Sequence, residues 1–221
     1  MSYSVLILGE SGTGKTCSLR NLDPSKTLLI QPTRKPLPFR ATGWKEAAEK
    51  GDGGNIFVSD DPVRILHVMR KAPHDIVVVD DFQYILCNIF MARANDKGYE
   101  KFTQIGKAGF DILKAASELA PNKRVYVLAH THTGDDGVTR IKTLGKMLDD
   151  KVVPEGMFTT VLRTSCADGK YFFLTQNSGS DTVKSPLGLF DSSVIDNDLA
   201  AIDRAICDYY QINTNEGGTS K

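Results

Sequence analysis

The chain has 221 residues, 41% hydrophobic and 24% charged, which is enough apolar material for one large domain and excludes a disordered polymer. Its 27 basic and 27 acidic residues cancel, which excludes a global field drawing the protein onto nucleic acid, membrane or an acidic substrate; polyanion binding would need a local patch. Four widely spaced cysteines, Cys17, Cys87, Cys166 and Cys207, form no CxxC pair, an argument against a zinc site or a disulfide framework and for reduced thiols.

At the start, MSYSVLILGES has no basic leader or small-residue cleavage site, and its apolar run is too short to span a bilayer. No membrane association is expected, and a cytoplasmic location is. SVLILG reads as a strand ended by glycine, and TCSLRNL follows with helical spacing. TLLIQP, Thr27 to Pro32, is a second strand stopped by proline. The loop PTRKPLPFRATGW then sets Arg34, Lys35 and Arg40 near Phe39 and Trp44. That mixture suits stacking on bases or an adenine ring, and it suits apolar anchoring of a long loop equally well.

DPVRILHVMRKA is helical, DIVVVDD, Asp75 to Asp81, is a third strand, FDILKAASELA a helix stopped by PNK, and RVYVLAHTH, Arg124 to His132, a fourth strand. Continuous apolar strands alternating with helices predict a parallel sheet covered on both faces. The stretch from His130 to Lys151 reads as a long loop. MFTTVLRTSC and KYFFLTQNS, joined through ADG, predict an antiparallel hairpin that extends the sheet, and LAAIDRAICDYY a closing helix. The expectation is one α/β domain over residues 1–212 and a disordered polar tail over 213–221.

GESGTGKT satisfies the pattern G-x-x-x-x-G-K-[ST] through Gly9, Gly14, Lys15 and Thr16, after a strand and before a helix. Its glycines allow the backbone N–H groups to wrap a phosphate, and a helix N-terminus adds partial positive charge. Gly9, Glu10, Ser11, Gly12, Thr13, Gly14, Lys15, Thr16 and Cys17 are therefore the expected ATP-binding residues, with Lys15 on the β- and γ-phosphates and Thr16 on Mg2+. The alternative is a chance match on a glycine-rich turn.

DIVVVDD supplies a buried strand ending in acids, with Asp80 placed to hold Mg2+; a solvated acidic turn is the plain alternative. Hydrolysis also needs a group to orient water, for which Asp81 is the nearest candidate, or else a cap for the following helix. His130 and His132 end the fourth strand. There His130 would sense the γ-phosphate or position water, unless both are structural histidines; a metal role lacks a third ligand in sequence. Lys15, Asp81 and His130 are thus the candidate catalytic residues.

GESGTGKT, IVVVDD, VLAHTH, a basic loop and a terminal hairpin, in that order from Ser4 to about Tyr210, resemble the RecA-like P-loop ATPases of tailed bacteriophages, the AAA-type family that includes the Sak-type single-strand annealing proteins. The resemblance implies a RecA-like core, ATP and Mg2+ at subunit interfaces of a homo-oligomer, a host-cytoplasmic location, and a role in phage DNA recombination or replication with single-stranded DNA and a single-strand binding protein. It makes Lys184, in NSGSDTVKSP, the match for a basic residue inserted into a neighbour's ATP site, a surface lysine being the plain reading. It also makes the stretch after the fourth strand the match for a disordered DNA-contacting loop, with Arg140, Lys142 and Lys146 on phosphates. Asp135, Asp136, Asp149 and Asp150 offset those charges, so a solvated loop or an oligomer contact stays open. Where RecA-type proteins carry a glutamate after the second strand, this chain has Gln31. Two other functions stay open: a nucleotide-dependent switch acting on a protein partner, and a small-molecule P-loop kinase.

Overall fold

The computed structural model describes residues 1–47, 53–144 and 147–213. Beyond residue 213 the expected tail lies outside the described residues, as does Lys146. Ten strands are seen among the described residues: β1 (Tyr3–Leu8), β2 (Thr27–Gln31), β3 (Ile56–Val58), β4 (Ile76–Val79), β5 (Arg124–Ala129), β6 (Thr131–Thr133), β7 (Thr139–Ile141), β8 (Thr160–Ala167), β9 (Lys170–Leu174) and β10 (Val194–Asp196). Eight form one sheet in the order β10-β9-β8-β1-β5-β4-β2-β3; β6 and β7 make a separate hairpin.

From β3 to β8 every neighbouring pair is parallel, and only β8–β9 and β9–β10 are antiparallel. The expected α/β class with a mostly parallel sheet and a terminal hairpin is therefore present. That hairpin turns at Asp168 and Gly169, both with positive φ, between paired Ala167 and Lys170, as a tight two-residue turn requires.

The apolar runs are continuous because the sheet is covered on both faces. Leu6 and Leu8 enter one core with Val77, Val79, Val125 and Val127, under α1 (Pro62–Lys71), α2 (Gln83–Ala92) and α3 (Glu100–Glu118). Val5 and Ile7 enter the other with Val78, Tyr126 and Leu128, under α4 (Leu199–Tyr210) and the loop carrying Leu37, Phe39 and Trp44. The aromatics of that loop thus anchor it to the body. No helix among the described residues is long and apolar enough to cross a membrane.

Two helix starts follow from local chemistry. Asp61 accepts from Val63 N at 2.8 Å, with Pro62 opening α1, and Asp198 accepts from Ala200 N at 2.9 Å at the start of α4. A buried network then fixes α4 to β5. Arg124 Nε and Nη2 donate to Asp203 Oδ1 and Oδ2 at 3.0 and 2.9 Å, and Tyr126 Oη donates to Oδ1 at 2.6 Å.

Three expectations need correction. The helix after GESGTGKT is a six-residue 3-10 turn, Thr16–Asn21, because Pro24 restricts Asp23 and leaves no room for a longer helix. The stretch after β5 is ordered as the β6–β7 hairpin, followed by a π-helical turn over Met147–Val152, where a disordered loop was expected. Finally, β3 and α2 were not expected at all.

Candidate functional site

Residues 9–15 leave β1 at the sheet edge where the parallel strands end. Leu8 pairs Ala129 of β5, and Val79 of β4 pairs Val127, so the segments after β1, β4 and β5 open side by side. Because β5 lies between β1 and β4, His130 emerges between the glycine loop and the acidic pair.

The glycines are sterically required. A Cβ on Gly9 would lie 1.9 Å from Thr164 Oγ1 and 2.7 Å from Thr13 Oγ1, and one on Gly14, at φ +95°, 2.9 Å from the Tyr171 ring. Gly12 has φ +79°, a conformation that suits glycine. Thr13 Oγ1 is 2.6 Å from Thr164 Oγ1, and Thr164 in turn donates to Leu8 O at 3.2 Å. This ties the loop to β8.

Lys15 is only 6% exposed. Its Nζ donates to the carbonyls of Gly9 and Glu10, each at 2.8 Å, so the ammonium spans the loop. Burial lowers its pKa, and the charges of Asp81 and Asp80 work against that shift. With only a 3-10 turn behind the loop, the helix dipole adds little positive charge there.

Thr16 Oγ1 lies 3.0 and 3.1 Å from the two carboxylate oxygens of Asp80. Asp80 is 1% exposed. Burial and the neighbouring Asp81 push its pKa up to about 6, against the opposing pull of Lys35 and Thr16. Next to it, Asp81 has φ +61°, a left-handed conformation that aspartate tolerates at modest cost. Its carboxylate does not cap α2, whose N-cap is Phe82 without a side-chain cap. It bonds Lys35 Nζ through Oδ2 and faces His130 Nε2 at 3.3 Å through Oδ1. The capping alternative for Asp81 is thereby set aside.

His130 is half-buried, its backbone N donating to Gln83 Oε1 at 3.1 Å. Burial and the positive charges of Lys15, Lys142 and Lys35 lower its pKa, with Asp81 opposing. Lys15, Thr16, Lys35, Asp81 and His130 line a cavity of about 300 Å3 with Ser11, Gly12, Gly14, Cys17, Pro38 and Tyr171. Glu10 is exposed.

Other expected residues lie elsewhere. His132 is exposed on β6, and among the described residues no group of three or more His, Cys, Asp or Glu is placed to hold a metal. Arg140 is engaged with Asp136 at 2.7 Å, while Lys142, exposed after β7, is joined to the site by its backbone N, which donates to His130 O at 2.7 Å. Lys184 bonds Val161 backbone to backbone, at 2.8 and 2.9 Å. Val161 pairs Leu6, two residues below the end of β1, so Lys184 does not line the cavity of its own chain.

Sequence reasoning missed Lys35, Tyr171, Thr164 and Gln83. PTRKPLPFR displayed the positive charge of Lys35 but not its target, and nothing in sequence points to the other three. Gln31, 3% exposed, ends β2 next to Ile30, which pairs Val79 and accepts from Asp80 N at 2.9 Å. Its Nε2 has no partner among the described residues. Comparison with protein-family models and with curated proteins finds no match.

Proposed function

We propose that the protein binds ATP with Mg2+ in the glycine loop and hydrolyses it slowly, as a RecA-like P-loop ATPase. One observation carries this reading. Thr16 and Asp80, separated by 64 residues, meet with the threonine hydroxyl against both carboxylate oxygens, the hard oxygen donors that magnesium prefers. The residues fit the group, since Gly12, Gly14, Lys15 and Thr16 border an open cavity of about 300 Å3.

In this reading the loop N–H groups and Lys15 hold the β- and γ-phosphates, and Thr16 with Asp80 holds the metal, which would neutralise charge on the phosphates. Asp81, facing His130, accepts the proton of an attacking water or orients it. Asp81→Asn is expected to lower turnover about 100-fold or more with ATP binding retained, measured as steady-state phosphate release beside equilibrium binding. Equal turnover would remove Asp81 from the chemistry.

The resemblance to the phage ATPases extends this reading to annealing or organising single-stranded DNA as a homo-oligomer, alongside a single-strand binding protein. Turnover with and without single-stranded DNA, and DNA binding at two salt concentrations, test it. Stimulated turnover and salt-weakened binding are expected. The switch reading has one observation in its favour: Gln31, uncharged, ends the strand beside Asp80. Its expected outcome is ATP binding with neither turnover nor DNA affinity.

A further inference from the structure

We infer that Lys35 is a tethered cation that occupies the acidic pair in the nucleotide-free protein and competes with magnesium for Asp80; the inference rests on the nucleotide reading above. Lys35 Nζ stands 3.5 Å from Asp80 Oδ2 and is hydrogen-bonded to Asp81 Oδ2. Adjacent carboxylates with so little access to water need a counter-charge in contact. Lys15 cannot be that contact, because its ammonium is committed to the carbonyls of Gly9 and Glu10. His130 reaches only Asp81.

Both Asp80 oxygens are therefore engaged, by Thr16 and by Lys35. A divalent ion taking an oxygen of Asp80 would meet the ammonium at the same carboxylate, and like charges at that separation repel strongly. One of the two has to leave. Lys35 can do so without unfolding its loop, since Leu37, Phe39 and Trp44 anchor the backbone to the core while the lysine side chain is 36% exposed. Its ammonium stays within reach of the cavity it already lines with Lys15 and His130. Bare metal is opposed as a result, and the site loads when a nucleotide brings further negative charge into that cavity.

The test is Mn2+ binding without nucleotide, by electron paramagnetic resonance at pH 8, on the full chain. Lys35→Met is expected to raise Mn2+ affinity about tenfold or more, the scale on which one neighbouring charge biases a carboxylate. Lys35→Arg should keep wild-type affinity, and Asp80→Asn added to Lys35→Met should remove the gain. Equal or weaker Mn2+ binding by Lys35→Met, or a gain that survives Asp80→Asn, overturns the inference. Lys35→Gln repeats the test should the methionine variant fold poorly. A parallel titration of the wild type with ATP and Mg2+ reports separately on the nucleotide reading, so the two can fail independently.

Discussion

Lys15→Ala is expected to lower ATP affinity by roughly 10- to 100-fold. The ammonium is the buried cation of the loop, held by two carbonyl bonds at 2.8 Å, which leaves its third N–H for phosphate. Charge-assisted hydrogen bonds contribute about 1.5–3 kcal/mol each. With two of its three N–H groups on carbonyls, the ammonium can add one such bond to a phosphate oxygen, about 1.5–3 kcal/mol, or about one to two powers of ten in affinity. Lys15→Met retains most of the apolar stem and should behave alike, which separates loss of charge from loss of packing. Isothermal titration calorimetry with ATP and Mg2+ measures both, and unchanged affinity in either variant would count heavily against phosphate binding by this loop.

Asp203→Ala is expected to cost about 3–5 kcal/mol of stability, because it leaves the Arg124 guanidinium buried without its carboxylate. Arg124 is 3% exposed and Asp203 7%, and the pair is bidentate, so solvent can compensate little. Tyr126 loses its acceptor as well. For a chain of this size each kcal/mol shifts Tm by about 2–4 °C, a fall of about 6–20 °C by calorimetry. A change below a few degrees would show that the network adds little.

The same network sets an alkaline limit. Burial, reinforced by Asp203, raises the Tyr126 pKa well above 10.0. A folded pKa above the unfolded value means that the unfolded chain ionises first. The contribution is thus fully present below about pH 10 and is lost as pH rises toward the folded pKa.

The strands with apolar residues toward both faces were legible, since burial on two sides writes a continuous run into the sequence. The Asp168–Gly169 turn was legible for a local reason, its Asp-Gly pair between two alternating runs. By contrast α2, QYILCNIFMA, is apolar nearly all round and begins without a side-chain cap, so no stripe or stop signal marked it. β3 is three residues long and forms only by pairing β2.

The glycine loop could be read because its constraints lie within eight residues. Its partners could not. Thr13 meets Thr164 across 151 residues, and Lys35 meets Asp81 across 46. Those contacts exist only once β8 lies beside β1 and the loop after β2 folds back over the sheet edge. The β6–β7 hairpin was hidden for a related reason: Thr131–Thr133 and Thr139–Ile141 form strands only by pairing with one another.

The most direct test of the central claim is calorimetric titration of the wild-type chain with ATP, with and without Mg2+, repeated on Thr16→Ala. One site per chain is expected, tighter with Mg2+, with that Mg2+ dependence lost in Thr16→Ala. No binding by the wild type, or binding indifferent to Mg2+ and to Thr16, would contradict it.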